Sequence, residues 1–188
     1  EVRSGELRYL VNTKDQAVGR AVYLDGGFDE RYMAKAVRLI EQTTGRSVSG
    51  TTMLDIGANI GTSTLLGLRR HGFGRVVAFE PDPTNFDLLT LNVAANDLAD
   101  RTTLHQLGLS DHAATMALSL SPSNHGDRRL RTDFLPTTDS LYAEETWNST
   151  EVEVATLDSF NLDLTTVGAV WMDVQGHEAH VLDGATEL

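Results

Sequence analysis

The stretch Thr51-Thr-Met-Leu-Asp-Ile-Gly-Ala-Asn-Ile-Gly61 decides how this chain is read. Thr52–Ile56 is a short apolar run of strand length ending at Gly57, the pattern of a strand buried on both faces. Asp55 sits near its carboxyl end, and the chain then turns through Gly57 and Gly61 into a helical run, Ile60–His71, stopped by Gly72. Glycines in such a turn let a ligand approach the backbone closely, and the helix start presents free N–H groups. The segment therefore predicts a nucleotide-type site at the carboxyl end of a strand. The spacing is D-x-G-x-x-x-G, not the G-x-G-x-x-G that cradles a pyrophosphate. An acid at the strand end disfavours a pyrophosphate and suits a ligand carrying an ammonium group. S-adenosylmethionine has that character: a sulfonium, an α-amino group and no phosphate.

Working outward, the same alternation repeats. Arg75–Phe79 reads as a second strand, Pro83–Asn96 as a second helix and Thr103–Leu107 as a third strand ending at Gly108. Alternating strands and helices of this length predict a Rossmann-like, doubly wound, mostly parallel α/β sheet with right-handed crossovers. Glu80, 25 positions after Asp55, ends the second strand, where an acid accepts two hydrogen bonds from a ribose diol. Asp111, after the third strand, is a candidate acceptor for an adenine amino group. Val167–Val174 is a further apolar strand. Asp173 stands at its end, and His177 and Glu178 open the helix that follows. A His beside a carboxylate suits a general base acting on a hydroxyl.

Residues 1–50 read as a separate lead-in. β-like runs at Leu7–Val11 and Arg20–Leu24 precede a helix over Asp29–Glu41. Residues 51–188 form the cofactor-binding domain. Within it, Thr115–Leu120 and Glu151–Ala155 alternate as strands, and the polar stretch Ser121–Thr150 between them reads as a long loop over the site. Its Asn124, His125, Arg128, Arg129 and Arg131 are the expected specificity element, the arginines hinting at an anionic acceptor or at nothing. Asp158 is placed to cap a short helix. Asn92 and Asn96, four apart, read as a solvated helix face and a helix end.

Composition narrows the function. The 188 residues contain no cysteine, which excludes disulfides, thiolate metal sites and a cysteine nucleophile. Fifteen basic against 27 acidic residues give a net charge of −12, a field that repels nucleic-acid phosphates. No run is apolar enough for a membrane span. The expectation is a cytoplasmic protein without nucleic-acid or membrane partners. No spaced histidine set predicts a metal.

Taken in order, D-x-G-A-N-x-G, E-P-x-P-x-N, L-x-x-N-x-x-x-N, L-S-D, T-L-D, and D-V-x-G-H-E with V-L-x-G-A resemble the FkbM-family methyltransferases from about residue 51 onward. The resemblance implies a class I S-adenosylmethionine-dependent fold and O-methylation of a hydroxyl on a sugar or natural product. It puts Asp55, Gly57, Asn59, Gly61 and Glu80 at the cofactor, and Asp173, His177 and Glu178 toward the substrate. The family segment usually reads D-V-E-G-H-E. Gln175 replaces its first Glu, which argues against a metal and shifts the base role toward His177 or Asp173. The resemblance also implies a seven-stranded sheet ordered 3-2-1-4-5-7-6, of which the first four strands are present. The product is therefore expected to continue past Leu188. Competing readings are a nicotinamide-dependent oxidoreductase, a non-catalytic domain of the same fold and a nucleic-acid methyltransferase.

Overall fold

The computed structural model describes residues 1–131 and 147–188. Ten strands and five α-helices are assigned among them. The centre is a parallel sheet of β3 (Thr52–Ile56), β4 (Arg75–Phe79), β5 (Thr102–His105) and β10 (Val167–Met172), in the spatial order β10-β3-β4-β5. This is the 3-2-1-4 order of the first four strands implied by the resemblance. Strand order reverses between β3 and β10, so the crevice between their carboxyl ends is the topological switch point where α/β sheets bind ligands.

Side chains alternate across the sheet and build a core on each face. Met53, Val76 and Ala78 pack toward α3 (Thr62–Arg69), α4 (Pro83–Ala95) and the N-terminal segment. Leu54, Ile56, Val77 and Phe79 pack toward Leu157 and toward Val181 of α5 (Glu178–Asp183). Burial on both faces explains why β3 and β4 read as continuous apolar runs. β10, at the sheet edge, is only half-buried.

A second sheet, ordered β6-β9-β7-β8, stands beside the first. It comprises β6 (Gly108–Leu109), β7 (Ala114–Leu120), β8 (Arg128–Leu130) and β9 (Asn148–Ala155). The predicted strand Thr103–Leu107 is thus divided: the chain leaves the first sheet after His105 and enters the second at Gly108. The expected loop Ser121–Thr150 contains β8 and the start of β9; its residues 132–146 lie outside the described residues.

The N-terminal reading needs one correction. Arg20–Leu24 is not a strand but part of α1 (Val18–Asp25). Val18 and Val22, one turn apart, are buried, the Asp15 carboxylate accepts the N–H groups of Ala17 and Gly19, and Gly26 closes the helix in the left-handed region. Side-chain capping and helical spacing outweigh the local β propensity. α2 (Glu30–Thr44) follows, close to the predicted span.

Asn92 and Asn96 are not solvated; both are buried. Asn92 Oδ1 accepts the Leu10 N–H at 2.5 Å, and its Nδ2 donates to the carbonyls of Leu10 (3.0 Å) and Ile60 (2.8 Å). Asn96 repeats the grip one turn later on the N–H and carbonyl of Arg8, at 2.9 and 2.7 Å. Side-chain amides thus hold the chain just after the β1–β2 hairpin (Val2–Ser4, Leu7–Tyr9), as a neighbouring strand would. Asp158 lies inside a 3₁₀ turn, and its carboxylate accepts the N–H groups of Thr186 and Glu187 rather than capping its own helix. Among the described residues no helix is long and apolar enough to cross a membrane.

Asn92→Ala leaves buried backbone groups without partners. It is expected to lower unfolding free energy by about 3 kcal/mol in urea titration and to remove hydrogen-exchange protection at the Leu10 amide. A loss below about 0.5 kcal/mol would show that water replaces the amide.

Candidate functional site

Two adjoining cavities open at the switch point. The first, of about 100 Å³, is walled by Phe28, Met33, Leu66 and Trp171, with Asp29, Asn59, Ser63 and Asp173 among its polar residues. The second, of about 40 Å³, is walled by Ile56, Phe79, Leu109 and Val174, with Glu80 and Arg128 at its rim. Gly57, Asn59, Gly126, Asp173 and Gln175 line both. The two are therefore halves of one crevice divided by the segment Asn124–Gly126.

Glu80 ties the crevice together. It is buried, Oε2 accepts the Asn59 N–H and Oε1 accepts the Asp82 N–H, each at 2.8 Å. Burial pushes its pKa up to about 7 despite these bonds. Asp55 is fully buried beneath the loop and lines neither cavity. Ser63 and Thr64 of α3 donate hydroxyl bonds of 2.7 and 2.5 Å to it, and burial raises its pKa to about 6. Gly57 is fixed by a close approach: its φ is +84°, and a Cβ there would lie 2.1 Å from the Asp173 carbonyl oxygen. Only glycine lets the exits of β3 and β10 come this near. Gly61 lines neither cavity and starts α3 against Leu89.

Asp173 reaches both cavities. Its Oδ1 accepts the Gln175 side-chain amide at 2.5 Å, and partial burial raises its pKa, with Glu178 adding to the shift. His177 does not reach them. It is 3% exposed, its Nε2 shares a 2.9 Å hydrogen bond with Ser110 Oγ, and its ring stacks on His180 at 4.5 Å. Burial, then His180, lower its pKa, so it is neutral near pH 7. Glu178 accepts the N–H groups of Val174 and Gly176, closing the turn that carries Asp173. Asp111 also lies off both cavities. Its carboxylate bonds His112, His180 and Ser110, which hold its pKa below the usual range.

Several residues that shape the site were not singled out from sequence. Asp29 was read only as a helix start; its side chain does not cap α2, and the residue lines the first cavity. Asn59 and Asn85 both donate side-chain amide bonds to the His125 carbonyl, at 3.3 and 2.9 Å. Asp15 accepts the His125 N–H at 3.1 Å, and Ser123 bonds the Gln16 N–H at 2.8 Å. The dividing segment is thus tied to both the N-terminal region and the loop after β3. The arginines have partners inside the protein: Arg128 pairs with Asp82 at 2.8 Å, Arg129 with Asp127 at 2.7 Å, and Arg131 donates to Ser119 at 2.7 Å. None of the three lines the first cavity.

A family model described as Methyltransferase FkbM domain matches residues 55–188. The chain belongs to this family. Methyltransferase sdnD of Sordaria araneosa is 37% identical over 82 residues, covering 44% of this chain and 32% of that protein. Hexuronic acid methyltransferase AglP of Haloferax volcanii is 31% identical, covering 70% of this chain and 48% of AglP. 31-O-demethyl-FK506 methyltransferase FkbM of Streptomyces tacrolimicus is 27% identical over 73% of this chain and 60% of its own length. The chain thus spans from a third to three fifths of these relatives. The matched FkbM segment supplies the sheet, Glu80 and Asp173; Asp29, Phe28 and Met33 of the first cavity lie before it.

The raised pKa of Glu80 sets a stability test. The folded state holds this proton up to about pH 7 and the unfolded chain releases it near 4.5, so the group's contribution falls as pH rises between those values. Glu80→Gln cannot ionise. The stability gap between the wild type and this variant, read by thermal denaturation, is expected to narrow from pH 5 to pH 8. A gap that widens would mean the carboxylate is favoured in the fold.

Proposed function

We propose that this FkbM domain binds S-adenosylmethionine and catalyses methyl transfer to a hydroxyl of a sugar or natural-product-type small molecule. The observation that supports this best is the divided crevice at the switch point, with an apolar half beside Glu80 and an acid-bearing half beside Asp173. The donor set suits that ligand. Each Glu80 oxygen accepts one backbone bond and keeps a lone pair for a ribose hydroxyl. Phe79, Leu109 and Val174 offer apolar walls for a base. The loop Gly57–Asn59 lines both halves where an amino-acid moiety would run, and Asp55 beneath it adds negative charge above its pKa of about 6. The acceptor class follows the names of two relatives, one acting on a hexuronic acid and one on an FK506 precursor.

When bound, the cofactor supplies an electrophilic sulfonium methyl and leaves as a neutral thioether. The domain's own residues then orient the acceptor and remove its hydroxyl proton. Asp173 is assigned the proton. The Gln175 amide holds one of its oxygens and leaves the other to face the crevice; a Glu at 175 would repel the same carboxylate. His177 and Glu178 act as positioning residues through Ser110 and the 174–176 turn. Cavities of about 100 and 40 Å³ are smaller than the roughly 300 Å³ of a ligand-sized pocket, so this reading requires the segment Asn124–Gly126 to shift on binding.

Calorimetry on the full protein is expected to detect S-adenosylhomocysteine and no binding of NAD; NAD binding alone would overturn the reading. Asp173→Asn is expected to lower kcat by about 10²–10⁴-fold with cofactor affinity held within about threefold. His177→Ala is expected to keep cofactor affinity and lower Tm. A larger loss of turnover from His177→Ala than from Asp173→Asn, at equal folding, would move the proton to the imidazole.

A further inference from the structure

The first cavity carries a feature the family match does not reach. Among the described residues that line it, only Asp29 and Asp173 are charged. They come from opposite sides, Asp29 from the turn before α2 and Asp173 from the exit of β10. Asp29 occupies a helix N-cap position, yet its carboxylate makes no capping bond. An aspartate there ordinarily accepts the first free N–H groups of its helix. Here the backbone is left-handed, φ +60°, and the residue lines the cavity. Phe28 precedes it in the wall and Trp171 faces in from β10. Carboxylates that accept hydroxyl bonds, set among aromatic and apolar surfaces, match a ring bearing neighbouring hydroxyls.

We infer that Asp29 is the second acceptor-binding residue, and that with Asp173 it selects an uncharged, hydroxyl-bearing acceptor and rejects an anionic one. Asp29 accepts a hydrogen bond from a hydroxyl adjacent to the one that reacts, while the free oxygen of Asp173 accepts the reacting hydroxyl. An acceptor carboxylate in this cavity meets two like charges and no described cation, which disfavours it. Asp29 also senses the charge of Asp173. Asp29 is raised from its ordinary pKa first by burial and then by Asp173, so a proton delivered to Asp173 enters a site where an added positive charge is welcome.

The inference rests on the proposed methyl transfer, and the experiment separates the two. The full protein is given S-adenosylmethionine with a panel of methyl glycosides, the matching methyl uronosides and the 2-amino glycosides. Neutral glycosides are expected to exceed uronosides by at least about tenfold in kcat/KM, and Asp29→Asn to shrink that ratio by about fivefold or more, with S-adenosylhomocysteine affinity within about threefold of wild type. Preference for uronosides or amines, an unchanged ratio in Asp29→Asn, or no transfer to any panel member by a cofactor-loaded protein overturns the acceptor assignment and leaves the cofactor reading standing. Failure to bind S-adenosylhomocysteine overturns the cofactor reading instead. A readout independent of turnover is the carboxyl titration of Asp29 by NMR. Its midpoint is expected to fall in Asp173→Asn, and an unchanged midpoint would show that the two acids do not share the cavity.

Discussion

A buried carboxylate holds the site in shape. Glu80 binds the N–H of Asn59 on one oxygen and that of Asp82 on the other, and so locks the loop after β3 to the loop after β4. Each N–H would otherwise be an orphan at the edge of a buried sheet. From this clamp the rest follows. Asp82 caps α4 by accepting the N–H groups of Thr84 and Asn85, and it also takes Arg128 from β8. Asn59, fixed by its own backbone bond, turns its side-chain amide to the His125 carbonyl. The first loop, the second loop and the segment dividing the crevice are thereby registered on one acid.

The strands and helices around that acid were legible because two-faced burial leaves a plain signature. β3 and β4 match their predicted spans at both ends, and α2, α4 and β10 match within a few residues. The crevice positions of Gly57 and Glu80 were legible too, since chain direction and strand order put both at the carboxyl ends of the strands. What could not be read was long-range. Asn92 and Asn96 have the polarity of a solvated face, and only the arrival of Leu10 and Arg8 from 82 and 88 positions away makes them interior. His177 and Asp173 stand four residues apart in one motif, yet the turn between them, with Gln175 at φ +54° and Gly176 at +100°, sends one into the core and leaves the other at the crevice. Asp29 carried the ordinary signal of a helix start, and its left-handed backbone is not written in local composition.

The crevice is chemically lopsided in a way that suits its proposed use. On the side of the second sheet it is apolar, with a carboxylate whose proton affinity lies near neutrality. On the side of α1 and α2 it is acidic and aromatic. The first group of residues belongs to the family-matched segment and the second comes partly from the region before it. On the proposed reading, the apolar half takes the methyl donor and the acidic half the acceptor, an arrangement by which one fold can host different sites.

The amide grip of Asn92 and Asn96 on residues 8–10 bears on that division of labour. A strand woven into the central sheet could be exchanged only by breaking the sheet. Here the main chain of the segment before α1 is held by two side chains of a helix, while Leu7 and Tyr9 pack into the same core as the sheet. The two amides read only main-chain groups, so they set the path of residues 8–10 without choosing the side chains that Arg8 and Leu10 carry.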